Sequence, residues 1–114
     1  MQKMDHSQYL KKVLDMAVKE QSSDLLISVN HPPTLRIVGQ LVPLVKEKVI
    51  SPEDSKALAF SLMDESQKTK LLSEKEIDFS YDFDSKARFR VNIFFQRGNI
   101  SLALRLVPSN IKTV

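Results

Sequence analysis

The sequence predicts an α+β domain: an antiparallel sheet of five or six strands with helices packed on one face. Three observations lead there. Residues 76–107 alternate apolar and polar side chains with a period of two. Earlier stretches repeat apolar residues at helical spacing behind capping residues. Strands and helices also fall into separate groups, which is the pattern of an α+β fold and not of a βαβ series.

The elements can be justified in order. Asp5 with Gln8 has the shape of a capping box, and Leu10, Val13, Leu14 and Ala17 follow at helical spacing, so residues 6–20 read as an amphipathic helix. Ser22 and Ser23 break it. Residues 24–29 (DLLISV) form an apolar run of strand length, and Pro32-Pro33 marks a loop or a strand's first residue. TLRIV, Gly39-Gln40 and LVPLV then read as a hairpin with glycine in its turn, and Pro43 places the second strand at an edge or a bulge.

Ser51-Pro52-Glu53-Asp54 is a helix start: a hydroxyl cap, proline at the first helical position, and two carboxylates in the electropositive first turn. Leu58, Leu62 and Met63 supply its buried side. Asp64 with Gln67 repeats the capping pattern ahead of a short helix through Leu71 and Leu72. Three strands follow. Their apolar sets are Ile77, Phe79, Tyr81 and Phe83; Ala87, Phe89, Val91, Ile93 and Phe95; and Ile100, Leu102, Leu104 and Leu106. Pro108 should stop the last one.

A length of 114 residues with 42% hydrophobic and 27% charged side chains suits one domain, 1–114, whose core needs no covalent or metal staple. The absence of Cys excludes a thiolate zinc site and a cysteine nucleophile, and the two histidines, His6 and His31, stand in unrelated contexts, so no metal site is expected. No apolar run approaches the roughly 20 residues needed to span a bilayer. Asp5, Asp15 and Glu20 interrupt the stretch where a secretory signal would lie. A soluble, cytoplasmic protein is expected. The net charge of +3 is modest but unevenly spread. Residues 1–85 hold 11 basic and 14 acidic side chains, net −3, whereas residues 86–114 hold Lys86, Arg88, Arg90, Arg97, Arg105 and Lys112 and no acid, net +6.

The positive field concentrates on the last hairpin. If Arg97-Gly98 is its turn, Arg90 lies directly across from Arg105; if Gly98-Asn99 is the turn, Arg105 faces Asn92 and lies diagonal to Arg90. Both registers put the two arginines on the open face within reach of each other. Like charges opposed across a ladder cost on the order of 0.2–1 kcal/mol, and a phosphate bound by paired guanidiniums would offset that. The alternative is an ordinary solvated charge face: with a loop at residues 83–85, Asp78 would sit opposite Arg90 and neutralise it.

SSDLLISVNHPPTLRIVGQL, followed by EIDFSYDFDSKARFRVNIFFQRGNISLALRLVPS, resembles the N-terminal domain of the PilT-like pilus retraction ATPases, the twitching-motility members of the secretion ATPase superfamily. The matching features are SDL at 23–25, PP at 32–33, Arg36, Gly39, IDFSYDF, ARFRVN at 87–92, Arg97-Gly98, and Arg105 followed by Pro108. The resemblance implies a PAS-like domain of a homohexameric ring. ATP and Mg would then be bound mainly by a C-terminal RecA-like domain, and this domain's arginines would reach the γ-phosphate. Arg90 and Arg105 match the family's arginine-finger positions, and Arg97 is a weaker candidate for nucleotide, interdomain or intersubunit contact. The implied partners are the C-terminal ATPase domain, neighbouring subunits, and the pilus platform at the inner membrane; nucleic acid and membrane insertion are not among them.

Two departures qualify the match. A Walker-type phosphate loop needs closely spaced glycines before Lys-Ser or Lys-Thr. Here the only glycines are Gly39 and Gly98, and Lys112-Thr113 has none before it. The chain is therefore expected to be a fragment that does not hydrolyse ATP alone. Leu26 also stands where many relatives carry His. His31, beside Pro32, reads as a loop residue.

Other classes remain open on the residues alone. A strand face that binds single-stranded nucleic acid needs exposed aromatics, and only Phe94 falls on the arginine side. A stand-alone PAS-type sensor needs a ligand cavity in the core, whereas the apolar strand residues are large enough to fill one. A membrane-surface patch lacks an exposed apolar stripe.

Overall fold

The structure, a computed structural model, describes residues 4–85 and 87–107. The elements run α1 (His6–Lys19), β1 (Asp24–Ile27), β2 (Thr34–Ile37), β3 (Gln40–Pro43), α2 (Pro52–Phe60), α3 (Glu65–Glu74), β4 (Glu76–Phe83), β5 (Ala87–Gln96) and β6 (Asn99–Val107). Pro108, Lys86 and Lys112 lie outside the described residues.

The strands form one six-stranded antiparallel sheet in the order β3-β2-β1-β6-β5-β4. The long hairpin β5–β6 comes last in the chain but sits at the middle, so β1 pairs with a strand about 80 residues away. Leu25, Val91 and Leu104 share one row of the ladder, as do Ile27, Ile93 and Leu102, and all are fully or almost fully buried. Leu10, Val13, Leu14 and Ala17 of α1, Leu58 and Ala59 of α2 and Leu71 of α3 join the same core. α2 packs on β6, α3 on β4, and α1 on both α2 and β1. The α+β expectation, with helices on the apolar face, is what the chain adopts.

Local chemistry accounts for most boundaries. Asp5 accepts from the Gln8 amide at 3.2 Å and starts α1. The helix stops at Lys19, one residue short of expectation, because Gln21 takes a left-handed φ of 56° and the buried Ser22 hydroxyl donates to the Ala17 carbonyl. β1 ends at Ile27, two residues early. The Asn30 amide leaves the ladder to donate to the Ile50 carbonyl, and the His31 amide closes a turn onto Ser28. β2 and β3 are joined by Val38-Gly39, one residue earlier than the expected Gly39-Gln40, with φ of 50° and 78°, a two-residue turn with both residues left-handed. β3 is an edge strand, as Pro43 implied.

Two of the three predicted helix starts, Ser51 with Asp54 and Asp64 with Gln67, are complete capping boxes, whereas at α1 only the Asp5 half of the expected box is made. α2 stops at Phe60, so Leu62 and Met63 reach the core from the connection to α3 and not from the helix itself. Of the Leu71–Leu72 pair only Leu71 is buried.

One expected register is corrected. β4 runs to Phe83 and β5 begins at Ala87, its opposite partner, so Ser80 and not Asp78 lies across from Arg90, and Asp78 faces Asn92. A slip of two residues keeps every side chain on its face, so alternation alone could not distinguish the two registers.

Asp54 ties the helical layer together. His6 Nε2 lies 3.0 Å and Lys48 Nζ 2.9 Å from its carboxylate, which also caps α2. Burial alone would raise the pKa of this group. The hydrogen bonds from Lys48, His6 and Ser51 outweigh that and hold it well below the usual carboxylate range.

Candidate functional site: an arginine row on the open sheet face

The turn between β5 and β6 is Arg97-Gly98, with φ of 54° and 81°. Glycine meets the second left-handed position without a steric penalty, and the two-residue turn selects the register in which Gln96 pairs with Asn99. Arg90 and Arg105 are thereby directly opposed. Both project from the face opposite the core, with side chains 60% and 72% exposed.

Each arginine also has a carboxylate. Arg90 Nη2 reaches Asp78 Oδ1 diagonally at 3.5 Å, and both partners are more than half exposed. Arg105 Nε donates to Asp24 Oδ1 at 3.2 Å. Asp24 opens β1, and its residue is only 9% exposed. It pairs in the ladder with Arg105 on one side and Arg36 on the other. Its second oxygen lies 3.5 Å from Arg36 Nε and accepts from the Ser23 hydroxyl at 2.8 Å. One row across the sheet thus reads Ser80, Arg90, Arg105, Asp24, Arg36 and Leu41. Three of its six residues are cationic.

Arg90, Arg105, Asp24, Asp78, Asn92 and Ala103 line an open concavity of about 350 Å³. Two guanidiniums and two carboxylates share it, so an anion would be met there against internal counter-charges. Guanidiniums present planar arrays of donors suited to phosphate oxygens, while the carboxylates restrain them when no anion is there. The solvated-face reading is met in part, because Arg90 is paired with Asp78, but diagonally and loosely. Next to this site, Arg88 Nε donates to Asp82 at 2.9 Å and Asn92 donates to Glu76 at 2.9 Å.

Arg97 is not brought to the pair. It sits exposed at the hairpin tip and lines a separate concavity of about 390 Å³ with His31, Asn30, Gln96, Asn99 and Ser101. Leu26 lies on the arginine face between Thr34 and Ala103, two rows from Asp24. Phe94 lies on that face too, half-buried between Glu76 and Ser101. Among the described residues no group of three or more His, Asp or Glu could hold a metal ion, and no helix is long and apolar enough to cross a membrane.

The sequence pattern does not single out Asp24 and Arg36 as site residues, although both belong to matched motifs. Parity offered a signal: Asp24 precedes the buried Leu25 and Arg36 follows the buried Leu35, so both fall on the strand side opposite those leucines. Their meeting with Arg105 depends on a long-range strand pairing that no local pattern encodes.

No protein-family model matches the chain. It is 31% identical over 103 residues to the type IV pilus ATPase PilU of Pseudomonas aeruginosa, covering 90% of this chain and 27% of that protein. It is 30% identical over 107 residues to the type IV pilus retraction ATPase PilT of the same organism, covering 90% and 30%. Its fold superposes on a crystal structure of the pilus retraction motor PilT with bound ADP at a TM-score of 0.83 and 34% identity, again covering 90% of this chain and 30% of that one. The chain therefore spans a little under a third of the length of these relatives. By sequence and by fold, it is a homologue of the N-terminal region of the PilT and PilU pilus ATPases.

Proposed function

We propose that this chain acts as the N-terminal, PAS-like domain of a hexameric pilus retraction motor in the cytoplasm, and that Arg90 and Arg105 are arginine fingers for ATP. The nucleotide and its Mg would be held mainly by a C-terminal RecA-like domain, and the assembly would work on the pilus platform at the inner membrane in twitching motility. The observation that carries the reading is the directly opposed, exposed pair Arg90 and Arg105 over one open concavity, in a chain whose relatives are pilus ATPases.

The mechanism follows from phosphoryl-transfer electrostatics. Charge on the transferred phosphoryl group is stabilised by guanidiniums fixed before the reaction, and such fingers are worth roughly 10³–10⁵ in rate. Rigid strands suit that task, because the hairpin register leaves the two side chains a shared direction. Arginines that engage only while a γ-phosphate is present also make the angle between two domains depend on nucleotide state, which converts hydrolysis into movement. Arg97, at the opposite end of β5, is assigned to contact with a neighbouring domain or subunit. Without a phosphate-binding loop of its own, the chain alone should not hydrolyse ATP.

The deciding experiment is a structure of the complete motor with a non-hydrolysable ATP analogue. The reading requires a guanidinium nitrogen of Arg90 or Arg105 within hydrogen-bond distance of the γ-phosphate, from the same or a neighbouring subunit. A γ-phosphate without either arginine beside it would overturn it.

A further inference from the structure

We infer that Asp24 is a positioning residue of the arginine site, and that Arg36 and Ser23 determine how firmly it holds Arg105. The inference rests on the proposed phosphate role of Arg105 and adds a release device to it. Asp24 divides its two oxygens between different partners: Oδ1 accepts from Arg105 Nε, while Oδ2 faces Arg36 Nε and accepts from the Ser23 hydroxyl.

That division has a physical consequence. A carboxylate as buried as Asp24 is costly to leave without partners. If Arg105 swings to an incoming phosphate, only Oδ1 loses its donor, and Oδ2 keeps the Ser23 hydroxyl bond and the nearby Arg36 charge. Arg36 and Ser23 therefore lower the cost of releasing Arg105. Remove either, and Asp24 depends more heavily on Arg105 and competes harder with the anion. Arg90 has no comparable restraint, since its contact with Asp78 is longer and both partners are well exposed.

The device can be tested on the 114-residue chain with inorganic tripolyphosphate as probe, following the arginine Nε–H resonances by NMR. In the unaltered chain the Arg105 signal should move on titration, while that of Arg36 stays near its starting position. Asp24→Asn neutralises the competing charge and should tighten binding by roughly three- to tenfold, given the strength of a charge interaction at this range near a surface. Arg36→Ala should weaken binding about threefold alone but by less than about 1.5-fold in the Asp24→Asn background, because coupled residues are not additive. Ser23→Ala, at an exposed position, should weaken binding in the same direction without changing any charge, and it keeps the test decisive should Asp24→Asn fail to fold.

An equal loss from Arg36→Ala in both backgrounds would mean that Arg36 contacts the anion itself and would overturn the inference, as would unchanged binding in either Asp24→Asn or Ser23→Ala. If tripolyphosphate moves neither the Arg90 nor the Arg105 signal, the phosphate role falls and this inference with it. If it moves them regardless of Asp24, the inference alone falls.

Discussion

Arg90 and Arg105 stand directly opposite each other on β5 and β6, yet each leans on a carboxylate from a different strand, Asp78 on β4 and Asp24 on β1. The like-charge pair is thus tolerated without being discharged. Both guanidiniums remain exposed over the same concavity.

In the complete motor, Arg90→Ala and Arg105→Ala should each lower kcat by about 10²-fold or more while changing KM much less, because contacts made mainly in the transition state act on turnover. Lys68→Ala on α3, a partly buried lysine paired with Glu65 and outside the arginine row, serves as the control. Steady-state ATPase assays decide the matter, and a Lys68 variant as impaired as the arginine variants would refute the assignment.

In the isolated chain the two arginines should differ in their effect on stability. Arg90→Ala removes a loose, solvent-screened ion pair together with a like-charge repulsion, and should shift unfolding by no more than about 0.5 kcal/mol. Arg105→Ala withdraws a hydrogen bond from the buried Asp24 and should cost about 1 kcal/mol, tempered by Arg36 and Ser23. Urea unfolding at neutral pH measures both, and a larger loss from Arg90→Ala would contradict the geometry.

Val38 is an uncomfortable residue for its turn. It is β-branched, 94% exposed, and held at a left-handed φ of 50° before Gly39. Val38→Asn creates the Asn-Gly pair favoured in such turns, removes no packing, and should raise stability by roughly 0.5–1 kcal/mol. A lower melting temperature would show that the side chain contributes more than its exposure indicates.

The Asp54 cluster predicts acid sensitivity. A carboxyl group whose folded pKa is depressed contributes stability that is fully present above its unfolded value, near the ordinary 3.8, and is lost as pH falls toward the folded value. Asp54→Asn should therefore destabilise the chain by about 1–3 kcal/mol at pH 7, through loss of the cap and of the contacts to His6 and Lys48. The gap from the unaltered chain should close as the pH drops below about 4. Parallel urea titrations from pH 7 to pH 3 would show whether it does.

At the centre of the sheet, Leu104→Ala should cost about 2–5 kcal/mol, since this fully buried side chain lies between Leu25 and Val91 and leaves a cavity when truncated. Leu41→Ala on the exposed edge strand should cost less than about 0.5 kcal/mol. Comparable losses at the two sites would mean that the core is not where the strand register places it.

What the sequence determined by itself was everything written in short range. Capping at Ser51 and Asp64, the glycine turns at Gly39 and Gly98, the alternation from Ile77 to Leu106, and the opposed faces of Leu104 and Arg105 depend on neighbours a few residues apart, and all are legible there. The turn narrowed Arg90 and Arg105 to two registers, and the structure chose the direct one. Only the tertiary fold decided that Asp24 lies between Arg105 and Arg36, that Asp78 reaches Arg90 diagonally, and that Asp54 gathers His6 and Lys48. Those meetings follow from burying one apolar sheet face under three helices. That burial brings distant strands into register through the summed packing of many side chains, a quantity that no single residue's neighbours along the chain reveal.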